Sequence, residues 1–295
     1  MEKYLLSCES PVDLSYDYVT KRGISIINYY YLIDGESHID DMGKDPNSLN
    51  KFYQFLKEGK LPSTSQVNEF QYEEYFRNLL KQGHNVLHIA FGSGMTQSVN
   101  QAYLAAETVR KEFPNQDLIV IDSVCSSSGY GMLVDDAYDL MQEGKDIKEI
   151  VSWIEENKTK IQHQFYSTDL KYLKRGGRVS GPAATVGSIL HLCPLMRLNY
   201  AGRIIAYSKV IGKKKAIKSI VDEMEAHAEN GLNYAGKVFI SNSNCLADAE
   251  MCKQEILKRF PNVKEIKIFD IGTVIASHTG PGTVALFFHG DERIK

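Results

Sequence analysis

The stretch Leu118-Ile119-Val120-Ile121-Asp122, followed closely by the polar loop Ser126-Ser127-Ser128-Gly129, decides the fold of this chain. An apolar run of this length predicts a strand buried on both faces, as in a parallel sheet. Residues 86–91 show the same arrangement upstream, where they run into Gly92-Ser93-Gly94 and then into apolar residues at helical spacing. Two successive strand–loop–helix units predict a right-handed parallel α/β sheet. Ligands bind such sheets beyond the carboxyl ends of the strands, where both polar loops fall.

The second half of the chain has a different pattern. Residues 195–200 and 204–207 flank Ala201-Gly202-Arg203, which predicts a β-hairpin. A helix with apolar residues at positions 216, 217, 220, 221 and 224 follows, and then a strand, a helix and two further strands. We therefore expect an α/β fold with two α/β domains. Residues 1–160 would surround a parallel sheet and residues 161–295 a mixed sheet, with a polar helix over 146–164 at the boundary.

The composition is that of an ordinary globular protein, with 43% hydrophobic residues, 24% charged residues and a net charge of −3. This mild acidity does not indicate nucleic-acid binding. No apolar run approaches the roughly 20 residues that span a bilayer, and the amino-terminal apolar segment is too short for a secretory signal. We therefore expect a cytoplasmic protein. Five scattered cysteines support neither a disulfide framework nor a metal site.

Three polar clusters lie where strands end or helices begin: Thr64-Ser65-Gln66, the loop 92–96, and His278-Thr279-Gly280-Pro281-Gly282. Such junctions offer unpaired N–H groups to an anion. Thr64 or Ser65 also fits the N-cap of the following helix, and this alternative stays open. In the loop 92–96, the glycines on both sides of Ser93 suggest close approach of the backbone to a ligand. His278 offers a hydrogen bond to an anion.

Catalytic interpretations of these clusters are weaker. The loop 92–96 has neither the Gly-Lys-Ser/Thr of a phosphate-binding loop nor the full glycine pattern of a dinucleotide site. A nucleophile elbow needs glycine two residues before the serine, and here that residue is Phe91. A serine hydrolase of acyl esters that uses Ser93 and His278 stays as the alternative.

Two basic groups stand out on this acidic chain. Arg178, between Gly177 and Val179, is the arginine best suited to face inward from a glycine-rich turn. The second group lies in the hairpin and the helix that follows it, and its members are Arg203, Lys209, Lys213, Lys214, Lys215 and Lys218. It fits docking to an acidic protein surface, and it equally fits a solvated helix face.

In this order, the motifs resemble those of the DegV family of fatty-acid-binding proteins, over essentially the whole chain. The resemblance rests on Thr64-Ser65-Gln66, Gly92-Ser93-Gly94-Met95-Thr96, Val120-Ile121-Asp122-Ser123, Tyr172-Leu173-Lys174-Arg175-Gly176-Gly177-Arg178, Lys209-Val210-Ile211-Gly212-Lys213-Lys214-Lys215 and His278-Thr279-Gly280-Pro281-Gly282. It implies two α/β domains with a long-chain fatty acid such as palmitate between them, in a non-catalytic bacterial protein without a cofactor. It also implies a partner, an ATP-dependent fatty acid kinase subunit that receives the carboxylate, and it allows brief contact with a membrane surface.

The resemblance further implies roles for individual residues. The residues that match the family's contacts to the fatty-acid carboxylate are Thr64, Ser93, Thr96 and His278. Arg178 matches an arginine near the pocket mouth, and the basic group of Arg203, Lys209, Lys213, Lys214 and Lys215 matches a surface for kinase docking. The candidate tunnel residues, which ordinary core packing explains equally well, are Met95, Ile189, Leu190, Leu192, Leu195 and Phe287.

Overall fold

Three β-sheets carry the fold. The computed structural model describes residues 4–180 and 191–295. In these residues the strands are β1 (Tyr4–Glu9), β2 (Ser25–Ile27), β3 (Tyr30–Ile33), β4 (Glu36–Ile39), β5 (Ser63–Ser65), β6 (Asn85–Ala90), β7 (Leu118–Asp122), β8 (Ile161–Ser167), β9 (Val179–Ser180), β10 (Leu192–Leu198), β11 (Ile204–Ile211), β12 (Lys237–Asn242), β13 (Glu265–Asp270) and β14 (Thr283–His289). The α-helices are α1 (Tyr16–Lys21), α2 (Ser48–Lys57), α3 (Glu69–Leu80), α4 (Ser98–Glu112), α5 (Ser127–Gln142), α6 (Ile147–Asn157), α7 (Lys171–Gly176), α8 (Lys213–His227), α9 (Leu246–Arg259) and α10 (Thr273–Thr279).

The first sheet is wholly parallel, with strand order β2-β1-β6-β7. It confirms the parallel sheet predicted from the two strand–loop–helix units. The stretch Leu118–Asp122 is β7, which lies at the edge of the sheet, and its Ile119 is partly exposed. Strand β6 lies inside the sheet and is buried over five of its six residues. In α4 the apolar residues at positions 99, 102, 106 and 109 are buried at helical spacing, whereas Tyr103 is exposed.

The second sheet is mixed, as predicted, with strand order β13-β12-β14-β8-β10-β11-β9. The predicted hairpin is the antiparallel pair β10 and β11, while β12 and β13 run parallel to each other. Helix α8 covers one face of this sheet. The five apolar positions predicted to face inward are all buried, namely Ala216, Ile217, Ile220, Val221 and Met224.

The polar helix predicted over 146–164 ends earlier. Helix α6 stops at Asn157, and β8 begins at Ile161 with all seven of its residues buried. The polar residues Gln162, His163 and Gln164 suggested a solvated helix, but they lie in a strand that other elements cover on both faces. The chain passes from the first sheet to the second between α6 and β8, and a domain boundary at residue 160 stays a prediction.

The third sheet, β4-β3-β5, was not predicted, because strands of three or four residues leave little periodicity to detect. Its Tyr31 and Ile33 pack with α2 in a cluster that also contains Ile271 and Ala276 from the second half of the chain. This sheet therefore holds β5 against α10.

The two halves of the chain share one hydrophobic core. That core includes Phe91 and Met132 from the first half and Phe165, Val274 and Phe287 from the second. The face of the mixed sheet opposite α8 thus packs towards the carboxyl ends of the parallel strands. None of the helices in the described residues is long and apolar enough to cross a membrane.

Candidate ligand-binding site

A cavity of about 310 Å³ lies where the two halves meet. Its size is within the range of small-ligand sites. Most of the wall is apolar, with residues from both halves: Phe91, Met95, Phe165, Leu173, Leu198, Ile204, Ile271, Val274, Ile275, Ala285 and Phe287. The polar wall residues are Tyr29, Thr64, Gln66, Thr96, Ser126, Ser127, His163, Arg178, His278, Thr279 and Thr283. A cavity whose wall combines apolar and polar side chains suits an amphipathic ligand.

At one end of the cavity, Thr64 and His278 meet. Thr64 lies on β5, where it pairs with Tyr31 of β3, and His278 lies in the last turn of α10. The Thr64 Oγ1 and His278 Nε2 atoms are 2.9 Å apart. The alternative role of Thr64 or Ser65 as a helix N-cap is wrong, because Asn68 caps α3 and forms a capping box with Gln71. The Thr64 hydroxyl is therefore left to interact with His278 in the cavity wall.

The surroundings of His278 favour a neutral imidazole. Burial is the main cause that lowers its pKa to about 4, and the charges of Arg178 and then Arg175 add to the shift. Its Nδ1 is buried and has no hydrogen-bond partner in residues 4–180 and 191–295. Gly176 packs against this nitrogen, because a Cβ at Gly176 would lie 2.5 Å from Nδ1. A neutral imidazole among arginines can donate a hydrogen bond to an anion without a buried positive charge of its own.

The loop 92–96 contributes Thr96 to the cavity wall but not Ser93. The Thr96 hydroxyl donates to Gln66 Oε1 at 3.1 Å, and Gln66 lines the cavity as well. The backbone N–H of Ser93 donates to Asp122 Oδ1 at 3.0 Å. Thr96 and Thr64 thus share the cavity, while Ser93 lies outside the set of lining residues.

The glycines of this loop serve backbone packing. A Cβ at Gly92 would lie 2.6 Å from the carbonyl oxygen of Cys125, and one at Gly94 would clash with the carbonyl oxygen of Gly202 in the turn between β10 and β11. Close approach of the backbone is therefore required, as expected from the two glycines. The partners in that approach are neighbouring loops of the protein, and this corrects the expectation that the glycines serve close approach of the backbone to a ligand.

Arg178 lies where the cavity meets solvent. It follows Gly177, which ends α7 in the left-handed conformation with φ 66°. The Arg178 guanidinium donates to the carbonyl oxygen of Gly176. The residue is exposed and also lines the cavity, so its charge lies at the edge of the opening.

Of the candidate tunnel residues, Met95 and Phe287 line the cavity. Leu192 and Leu195 do not belong to the lining residues, and Leu195 instead packs in the cluster under α8. Ile189 and Leu190 lie outside the described residues.

Several wall residues were missed from the sequence. His163 was assigned to a helix, and its burial depends on contacts with Phe287, whose ring centroid is 5.1 Å from its own. Ser126 and Ser127 belong to a loop whose position at a strand end signalled a ligand-facing edge. Tyr29 carried no such signal, because its hydroxyl is held by a buried carboxylate 20 positions earlier in the chain.

That carboxylate is Glu9, which is fully buried beneath the cavity wall. It accepts hydrogen bonds from the Tyr29 hydroxyl, the Phe91 N–H and the Tyr72 hydroxyl. Tyr29 and Phe91 both line the cavity. Glu9 therefore fixes two of the wall residues and the start of the loop 92–96.

The geometry gives the hydrolase alternative no support. His278 hydrogen-bonds to Thr64 and lies next to arginines, whereas a catalytic triad needs a carboxylate to orient the histidine and a serine to share its other nitrogen. Among the described residues that line the cavity there is no aspartate or glutamate. The described residues also contain no group of three or more His, Cys, Asp or Glu side chains that could hold a metal ion.

The basic residues predicted for docking do not form one compact patch. Arg203 lies in the turn before β11, and Lys213 begins α8 after it. The eight residues of β11 extend over about 26 Å, so these two residues lie at opposite ends of the strand. Lys213 forms an ion pair with Asp248 at 2.6 Å, while Lys214 and Lys215 are exposed beside it and Lys209 is exposed near the end of β11.

Known proteins are similar to this chain over nearly its whole length. The family model described as an uncharacterised protein of the DegV family matches residues 6–291. A DegV domain-containing protein of Clostridium perfringens is 38% identical over 99% of this chain and 99% of its own length. A solved DegV family protein of Thermus thermophilus, described by its fatty acid binding, has a TM-score of 0.86 and 28% identity, and the match covers 98% of this chain and 100% of that one.

A more distant structure shares the fold. The fatty acid kinase (Fak) B3 protein of Streptococcus pneumoniae, solved with linoleic acid, has a TM-score of 0.83. The match covers 99% of this chain and 100% of that chain at 18% identity.

Proposed function

The chain belongs to the DegV family, and we propose that it binds one long-chain fatty acid in the cavity between its two halves. The observation that carries the proposal is the make-up of this cavity, in which apolar side chains from both halves of the chain surround a space that the Thr64–His278 pair also lines. The fatty acid binding described for the Thermus thermophilus relative supports it.

The carboxylate would bind at the end formed by Thr64, Thr96 and His278, with Arg178 at the mouth. Two hydroxyls and a neutral imidazole donate hydrogen bonds to a carboxylate, and a nearby arginine adds attraction without being buried. Ser93 stays a predicted contact that rests on the family resemblance, because its side chain is not among those that line the cavity.

The apolar wall would supply most of the affinity. Each buried methylene contributes about 0.8 kcal/mol, so a C16 chain contributes on the order of 10 kcal/mol before the costs of binding. The polar end then sets the direction in which the ligand lies. This division of roles fits a protein that holds an acyl chain without transforming it.

We further infer that the protein is non-catalytic and presents the bound carboxylate to an ATP-dependent fatty acid kinase subunit. The shared fold of the Streptococcus pneumoniae Fak B3 protein supports this role. The docking surface would include Arg203, Lys209, Lys213, Lys214 and Lys215. Since Arg203 and Lys213 lie at opposite ends of β11, the partner would have to contact the whole length of that strand.

Mass spectrometry of extracted lipid tests the proposed function. We expect purified protein to carry a C14–C18 fatty acid, and delipidated protein to bind palmitate in a calorimetric titration. Delipidated, folded protein that takes up no acyl chain would refute the proposal. Labelling of Ser93 by a fluorophosphonate probe would instead favour the hydrolase alternative.

A further inference from the structure

The cavity has a second polar region, at the end away from Thr64 and His278. Here Ser126, Ser127 and His163 line the wall. Thr283 marks the other region, the one near α10. On the mixed sheet it pairs with Ser167, and its hydroxyl lies 3.5 Å from the carbonyl oxygen of Thr279, the residue after His278.

The length of the strands separates this region from the carboxylate end. In the antiparallel pair of β14 and β8, Phe287 pairs with His163, four residues away from the pair of Thr283 and Ser167 on each strand. Four strand residues extend over about 13 Å. The Ser126–His163 region therefore lies about that far along the sheet from Thr283, which lines the cavity and contacts α10 at the carbonyl oxygen of Thr279.

Hydrogen bonds already engage most of the polar atoms in this region. His163 Nδ1 lies 2.9 Å from the carbonyl oxygen of Ile161, and His163 Nε2 accepts from the backbone N–H of Ser126 at 3.2 Å. The Ser127 hydroxyl donates to Asp13 Oδ2 at 2.5 Å. The Ser126 hydroxyl is different, because it has no hydrogen-bond partner in the part of the chain that the structure describes and does not cap α5.

Ser126 is partly exposed at the cavity wall, so a wholly apolar chain that covers it would remove this hydroxyl from water without giving it a partner. A polar group that is removed from water without a partner destabilises the complex, and a partner on the ligand would reverse that effect. A carboxylate does not suit the region, because His163 has no free N–H to donate: its Nε2 accepts from the Ser126 N–H, and its Nδ1 lies 2.9 Å from the carbonyl oxygen of Ile161. Burial and the nearby charge of Arg293 hold the pKa of His163 well below its usual value, so the imidazole stays neutral and its Nε2 acts as an acceptor.

We propose that Ser126 forms a distal subsite for a neutral oxygen on the acyl chain, so that the protein prefers a long-chain fatty acid with a hydroxyl or keto group near mid-chain. This inference rests on the proposed function. A saturated chain advances about 1.25 Å per carbon, from C–C bonds of about 1.52 Å and near-tetrahedral angles. A separation of about 13 Å therefore places the oxygen near the tenth carbon.

A positional series of ligands tests the subsite. Delipidated full-length protein is titrated with stearic acid and with its 3-hydroxy, 10-hydroxy and 18-hydroxy forms, and each dissociation constant is divided by that of stearic acid. We expect the 10-hydroxy acid to bind about fivefold better than the 3-hydroxy and 18-hydroxy acids, which is the range of one neutral hydrogen bond.

Variants of Ser126 connect the preference to the residue. Ser126→Ala should abolish the advantage of the 10-hydroxy acid while stearic acid still binds, because Ser126 makes no side-chain cap bond that its loss would break. Ser126→Thr retains the hydroxyl in an extended backbone (φ −144°, ψ 153°) that threonine adopts readily, and it should retain the preference. Ser152→Ala, which removes an exposed hydroxyl that bonds only to Glu156, is the matched control.

The outcomes separate the two proposals. Stearic acid that binds without any difference among the hydroxy isomers, or an isomer preference that Ser126→Ala leaves unchanged, overturns the subsite and leaves the proposed function standing. Failure of every acid, including unsubstituted stearic acid, overturns the proposed function itself. A preference for the 10-hydroxy acid that Ser126→Ala abolishes and Ser126→Thr retains supports the subsite.

Discussion

Two histidines line the same cavity at opposite ends, and their surroundings differ. His278 makes one side-chain hydrogen bond, to Thr64, and its buried Nδ1 has no partner in the described residues. His163 has a partner for each nitrogen and packs against Phe287. Both rings are kept neutral by burial and by nearby arginines.

The difference indicates which of the two rings is adapted to bind the carboxylate of a ligand. A ring whose hydrogen bonds are complete is part of the scaffold, since any new partner would have to displace an existing one. A buried ring with an unfilled nitrogen has unused capacity, and such exceptions in a protein interior need an explanation. We therefore expect substitutions at the His278 end to change affinity, and substitutions at His163 to change stability.

The largest expected effect is on affinity at the Thr64–His278 end. Thr64→Ala combined with Thr96→Ala should weaken palmitate binding by about 2–4 kcal/mol, at about 1–2 kcal/mol for each hydrogen bond lost to the carboxylate. Calorimetric titration of delipidated protein measures this change. Thr20→Ala, which removes an exposed hydroxyl on α1, is the control. An unchanged dissociation constant in the double variant would place the carboxylate elsewhere.

The next effect is on stability at the other end. His163→Ala should lower the free energy of unfolding by about 2–3 kcal/mol, because it opens a space beside Phe287 and leaves the Ser126 N–H without an acceptor. Urea denaturation measures it. His278→Ala should lower the free energy of unfolding by less than half as much, since only one side-chain hydrogen bond is lost. Equal losses in the two variants would contradict the assignment of His163 to the scaffold and of His278 to the carboxylate site.

Sequence patterns predicted those helices and strands whose buried residues follow from a pattern within the element itself. The inward face of α8 and the β10–β11 hairpin are examples, because helical spacing and a glycine turn are local signals. Strand β8 was mistaken for a helix end, since what buries Gln162, His163 and Gln164 is contact with both halves of the chain. No local pattern encodes such contact.

The same limit applies to the cavity. Thr64 and His278 are 214 positions apart in sequence, and their proximity depends on the third sheet holding β5 against α10. The hydrophobic periodicity of the sequence predicts neither β5 nor α10, because both elements are short. The family resemblance predicts a shared role for Thr64 and His278, and the structure shows that they are in contact. The contact between Ser126 and His163 is visible only in the structure.

The smallest expected effect is the pH dependence of the two rings. The His278 imidazole should gain its proton near pH 4 in the ligand-free folded protein but near pH 6.5 in the unfolded chain, so the unfolded state binds more protons as the pH falls through this window. The stability that neutral His278 contributes above pH 6.5 is therefore lost towards pH 4, and it amounts to about 1 kcal/mol between pH 7 and pH 5.5. Subtracting the pH profile of His278→Gln, which cannot titrate, isolates this contribution.

Nuclear magnetic resonance titration of the two rings sharpens the comparison further. A bound carboxylate beside His278 favours the charged ring, so added fatty acid should raise the pKa of His278 above 4. His163, with both nitrogens engaged and no carboxylate near it in the proposed complex, should keep its depressed pKa with or without ligand. If the ligand instead moves the titration of His163 and not that of His278, then the carboxylate binds at the Ser126 end and the acyl chain lies in the cavity in the reverse direction.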